Sequence, residues 1–173
     1  MSDAATQAVK SYKQQFEQLF DGSPWLDETF EKKLAGVSEH DLFESPHPEV
    51  HSAAQVVSHV VEWRKEVIRR LEENVSDRQL TMKSPENWKS TDELKAMGWN
   101  ALYDDLKKVQ HRIVALLKEK SDSYLRQKQG ASTFDNEYFI AGLLQHDAYH
   151  LGQIGLILKM VRLEKEPGPA IIG

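Results

Sequence analysis

Two histidines with three residues between them, in the stretch QHDAYHLGQIGLI at Gln145–Ile157, are the part of this sequence best suited to chemistry. Residues four apart on a helix are offset by about 40° around the axis and about 6 Å along it. His146 and His150 therefore share a face, and Gln153 joins them. Two imidazoles so placed can hold one divalent cation, with bonds of about 2.0–2.1 Å for zinc. Spacing alone is a weak signal. Seven histidines in 173 residues give roughly 0.3 H-x-x-x-H pairs by chance, and the chain carries a second pair, His47 and His51. Pro48 lies inside that pair and denies it a common helical face.

A third donor strengthens the first pair. His59 lies in AQVVSHVVEW, where Val56, Val60 and Trp63 mark its face as inward. A buried polar group without a partner costs about 1–3 kcal/mol, and one cation would satisfy all three rings. Three neutral ligands leave coordination positions open, the catalytic pattern rather than the closed structural one. Such a metal lowers the pKa of a water or thiol that binds it. The candidate ions are zinc, nickel, iron or manganese, selected by availability and geometry as much as by ligand type.

Around this set, Gln153 is a candidate to orient a ligand histidine or a water. Glu62, three residues after His59, is a candidate base or extra carboxylate; its alternative is an ion pair with Lys65. Asp147 lies about 100° around the helix from His146 and is expected to pair elsewhere. Trp63 and Tyr149 read as core. No catalytic residue follows from the sequence.

The bulk numbers bound what these residues can serve. A chain of 173 residues suits one domain, here 1–173. With no cysteine, disulfides, thiolate metal sites and a cysteine nucleophile are excluded. A net charge of −5 argues against nucleic acid as a partner. No apolar run approaches the roughly 20 residues that span a bilayer, so no membrane partner is expected. The polar opening MSDAATQAVKSYKQQF lacks a signal-peptide core, which makes the cytoplasm the expected address.

The periodic segments that must position the histidines all read as helix. Ala4–Phe20 shows 3–4 spacing of apolar residues. A short helix is expected over Pro24–Ala35, with Ser23 as N-cap and Pro24 at N1. The segment Gly36–His51 is a connector broken by Pro46 and Pro48. Ser52–Gln55 fits a capping box and starts a helix that reaches about Asn74. Val75–Lys89 is a long connector. Ser90–Glu93 caps a helix reaching about Lys120. A last helix runs from Phe134 or Asn136 to Leu163, ended by Pro167 and Pro169. Four long helices and no hairpin signal give an all-α four-helix bundle.

HSAAQVVSHVVEWRKEVIRRLEE and QHDAYHLGQIGLI resemble the second-helix and C-terminal signatures of the DinB-like superfamily, including its YfiT-type branch. GSPWLDETFEKKLAGVSEHDL and MGWNALYDDLKKVQHRIVALL are similar to its first-helix and third-helix regions. The resemblance implies up-down-down-up helix order, with Val75–Lys89 as the crossover between helices 2 and 3. It also implies a divalent metal on His59, His146 and His150. Many members are similar to S-transferases or isomerases that use a low-molecular-weight thiol. The expected function is therefore metal-dependent thiol S-transfer to a small-molecule substrate. The alternatives are a metal-dependent hydrolase and a non-catalytic, metal-stabilised binding bundle. An anionic thiol would want basic residues at the site mouth, and Lys32-Lys33 and Arg69-Arg70 are the basic pairs. Ile154, Leu156 and Leu158 beside the histidine face are expected to contribute to a two-fold homodimer contact away from that mouth.

Overall fold

Ser52 and Gln55 begin the helix on which the site depends. Ser52 Oγ accepts from the Gln55 amide at 3.2 Å, and Gln55 Oε1 accepts from the Ser52 amide at 3.0 Å, so the capping box forms as its sequence predicts. The computed structural model describes residues 7–165, and among them this helix is the fourth of eight. Four helices are long: α1 (Gln7–Phe20), α4 (Ala53–Glu73), α6 (Trp99–Lys118) and α8 (Asn136–Lys165). Four are short: α2 (Phe30–Leu34), α3 (Glu39–Phe43), α5 (Thr91–Met97) and α7 (Asp122–Leu125). A 3-10 turn at Pro85–Trp88 interrupts the connector after α4. The fold is an all-α helical bundle. Among the described residues, no helix is long and apolar enough to cross a membrane.

Several expected boundaries are corrected. The helix expected over Pro24–Ala35 is reduced to α2: Thr29, not Ser23, is its N-cap, with Oγ1 accepting from the Lys32 amide. Pro24 instead opens a turn in which Asp27 takes a positive φ of 54°, a conformation that cannot continue a helix. Within the Gly36–His51 connector, Ser38 caps α3, which buries Leu42 and Phe43. The single helix expected from Ser90 to Lys120 is two, because Gly98 sits at φ 84°, ψ 147° between α5 and α6. Pro167 and Pro169 lie outside the described residues.

The long helices form a ring in which α4 packs on α6 and α8, and α1 packs on α6 and α8. Lys65–Asp105 and Glu72–Arg112 both pair residues 40 apart, so α4 and α6 step in the same direction. Along α4 and α8 the order reverses: Arg64 meets Asp147, and Arg70 lies over the Phe139 ring. One apolar core fills the ring, with Phe16, Ile68, Leu106, Ile113 and Ile140 fully buried. Ile154 and Leu158 belong to this core and are not surface for a second copy; of the three expected dimer residues only Leu156 is exposed.

A polar chain runs through the core. Arg64 and Asp147 are both fully buried, with Arg64 Nη2 2.8 Å and Nε 3.0 Å from Asp147 Oδ2. Arg64 Nη1 donates to Gln110 Oε1 at 2.8 Å, and Gln110 Nε2 donates to the Phe16 carbonyl at 3.0 Å. The guanidinium lies against the Phe16 and Phe30 rings. Arg64→Met would leave Asp147 buried without its counter-ion, and is expected to destabilise the fold by about 3–5 kcal/mol. Adding Asp147→Leu should restore at least half of that loss in urea denaturation. A double variant no more stable than Arg64→Met alone would show that the stranded carboxylate is not the cause.

Candidate metal centre

His59 lies two turns into α4, and His146 and His150 lie at mid-length on α8. The opposed run of the two helices brings the rings together, with centroids 4.3–5.0 Å apart. One ring nitrogen from each lies within 4.8 Å of the others. His59 and His150 are buried, and His146 is partly so. His47 and His51 stay outside the cluster, as the intervening proline predicts. His47 Nδ1 is exposed and accepts from the Glu49 amide.

Hydrogen bonding fixes which nitrogens face one another. His59 Nδ1 lies 2.9 Å from the Asn87 carbonyl. A carbonyl only accepts, so Nδ1 carries the hydrogen and Nε2 presents a bare lone pair. His150 Nδ1 donates to Gln153 Oε1 at 2.6 Å, leaving its Nε2 bare in the same way, and Gln153 Nε2 donates to the Tyr149 hydroxyl at 3.0 Å. His146 Nε2 lies 3.1 Å from His59 Nε2. His146 Nδ1 is buried without a hydrogen bond, 3.7 Å from Asp147 Oδ1, which also lacks one.

This donor set fits a divalent cation. Metal ligation needs neutral imidazoles whose second nitrogen is oriented by a partner, and two of the three have that partner. Burial pushes the His59 pKa down to about 4 against a smaller opposing effect of the Asn87 carbonyl, and the neighbouring histidines add to the depression. Burial, then His146, lowers that of His150. Both rings are therefore neutral at physiological pH.

The site opens into a cavity of about 680 Å³. Trp63, Trp88 and Tyr149 line it, together with aliphatic and thioether side chains of α4, α8 and the preceding connectors. Trp88 stacks flat on His59 at 4.1 Å, and His51 stacks on the far side of Trp88 at 3.9 Å. Trp63 donates through Nε1 to Asn87 Oδ1 at 2.8 Å.

Gln153 stands where the sequence suggests, beside a candidate ligand. Glu62 does not: its carboxylate pairs with Lys89 at 2.7 Å and Lys65 at 3.1 Å, and it lines a separate groove. Trp63 and Tyr149, expected in the core, are cavity wall, and Tyr149 is 64% exposed. Leu156 is also on that wall, which corrects its expected place away from the mouth. The basic pairs Lys32-Lys33 and Arg69-Arg70, which read from sequence as solvated faces, do not line the cavity. Lys33 pairs with Glu28, and Arg69 with Glu66 and Glu73. Asn87 and Trp88 were missed altogether. The signal available for them was a connector too long for a simple turn, carrying a tryptophan directly after Pro85–Asn87.

A helical bundle whose paired helices converge three histidines on an open cavity defines a class of proteins, and comparison by sequence agrees. The family model of the DinB superfamily matches residues 26–154. The chain belongs to the DinB superfamily. Comparison with curated proteins and with solved structures gives no significant match.

A histidine held at about 4 in the fold and near 6.5 when unfolded binds more protons in the unfolded state between those values. The stabilisation is thus complete above about pH 6.5 and is lost as the pH falls towards 4, by on the order of 3 kcal/mol. Metal-free protein should show this in urea denaturation between pH 7.5 and 4.5. His59→Gln should flatten that part of the slope, and an identical slope in the variant would remove His59 as its source.

Proposed function

We propose that this protein is a metal-dependent enzyme that joins a low-molecular-weight thiol, through its sulfur, to an electrophilic small molecule. The observation that carries the reading is the convergence of ring nitrogens of His59, His146 and His150, two of them with Nε2 bare, on an open cavity. In this reading, His59, His146 and His150 hold one divalent ion, either zinc, nickel, iron or manganese. The Asn87 carbonyl and Gln153 Oε1 keep the hydrogens of His59 and His150 on Nδ1, so that both rings remain oriented and neutral.

Held by His59, His146 and His150, a divalent cation would lower the pKa of a thiol that reaches it and so supply a thiolate nucleophile. Attack forms the new S–C bond as the electrophile's leaving group departs, and the thiol proton passes to solvent. Thiol transfer is favoured over hydrolysis because a divalent metal would lower bound water only to a pKa of about 7, whereas a coordinating thiol is deprotonated outright. Water is best served by a nearby base, and the carboxylate on the cavity wall, Glu49, is exposed. A metal held only for stability would normally have four protein ligands; the cluster among the described residues has three.

The proposal extends to one domain across residues 1–173 in up-down-down-up order, which the shared direction of α4 and α6 supports. It also includes a cytoplasmic homodimer, with the exposed Tyr138 and Leu163 of α8 as candidate contacts.

Purified protein should contain about one divalent ion per chain and turn over thiol plus electrophile faster than electrophile and water alone. His150→Ala should abolish that turnover without changing the sedimentation coefficient. Gln153→Leu should weaken metal binding by about 10–100-fold. Turnover retained by the metal-free His150→Ala variant would reject the catalytic metal.

A further inference from the structure

The cavity wall is chemically one-sided. Trp63 comes from α4, Trp88 from the 3-10 turn and Tyr149 from α8, so aromatic rings line it from three elements. Met82 and Met160 add thioethers, and Val56 adds an aliphatic surface. No lysine or arginine is among the lining residues.

Of the cations around this region, Lys83 and Lys159 adjoin the lining residues Met82 and Met160 in sequence but are exposed and do not line the cavity, and three others are paired. Arg64 is fully buried against Asp147. Lys89 is held by Glu62 at 2.7 Å, and Lys65 lies between Glu62 and Asp105. The carboxylate of Glu49 is the formal charge on the cavity wall. An anion entering the metal-free cavity would lose its hydration and meet no lysine or arginine on the wall, a costly exchange. An apolar ring entering it would replace water against aromatic and thioether surfaces, a favourable one.

We infer that the substrate of this site is an uncharged, apolar small molecule bearing an aromatic ring, and that the cavity selects against anionic ones. The inference rests on reading this cavity as the substrate site, and it deepens the function proposed above by naming the substrate class. A volume of about 680 Å³ is within the usual range of small-molecule sites, about 300–1,000 Å³. Any anionic part of a thiol co-substrate stays in solvent beyond the rim, while its sulfur reaches the histidines.

The test compares two probes of nearly equal size, 2-naphthalenemethanol and 2-naphthoate. Binding is followed by tryptophan fluorescence in chelator-treated protein, so that carboxylate–metal ligation cannot contribute. The neutral probe should bind at least tenfold more tightly than the anion. Met82→Lys adds a cation at a wall position that is 71% exposed, where folding should not suffer. It should tighten naphthoate binding by about fivefold and so narrow the ratio between the two probes.

Equal or tighter binding of naphthoate by the unsubstituted protein would overturn the inference, as would failure of the neutral probe to bind at millimolar concentration. No gain for naphthoate in Met82→Lys would overturn it too, since charge would then not set the choice. Because the assay is run without metal, it can fail while metal-dependent turnover holds, and the reverse.

Discussion

The buried contact between Arg64 and Asp147 is the constraint on which the site depends. Arg64 lies five residues after His59 on α4, and Asp147 directly follows His146 on α8. Closing that pair fixes how far one helix is slid and rotated against the other, and so whether His59 faces His146. The pair is not isolated. Gln110 carries the hydrogen bonding on to α6 and then to the Phe16 carbonyl of α1, so one polar chain touches all four long helices. Apolar packing tolerates small shifts of register, whereas a charged group in a dry interior tolerates loss of its partner poorly. The polar chain therefore defines the relative positions that the apolar core stabilises.

The second contribution comes from outside the long helices. The connector after α4 belongs to the crossover between α4 and α6, which run the same way, and it does more than span. Its 3-10 turn brings Asn87 and Trp88 onto the site. Asn87 is buried, with its carbonyl taken by His59 and its side-chain oxygen by Trp63. Trp88 covers the face of the His59 ring. A segment needed for topology is thus also part of the wall around the chemistry.

This division explains what the sequence made legible. The long helices were readable because their apolar spacing and their caps at Ser52 and Ser90 are local signals, and the three histidines followed from their place on those faces. Breaks governed by a single backbone conformation were less readable: Gly98 divides a segment whose apolar pattern runs on without interruption. The Glu62–Lys65 pair is legible in helical spacing and forms at 3.1 Å, whereas its second partner, Lys89, comes from a distant segment that spacing does not reveal. Trp63 and Tyr149 were taken for core because an aromatic residue on an inward face looks the same in sequence whether it meets another helix or a cavity. Arg64 gave no sign of being fully buried, since its partners lie 83 and 46 residues away.

The two hydrogen bonds that hold the outer nitrogens of His59 and His150 differ in a way that matters for how the site can change over generations. Gln153 supplies its acceptor from a side chain, so one codon change can delete it, and that position is open to tuning. Asn87 supplies its acceptor from the main chain. A residue that fits the buried place of the Asn87 side chain would still present a carbonyl to His59, provided the turn keeps its shape. The first arrangement is evolvable; the second is insulated from point mutation and yields only to changes that refold the connector. The orientation of His59 is thereby inherited with the backbone path, while that of His150 is inherited with a single side chain.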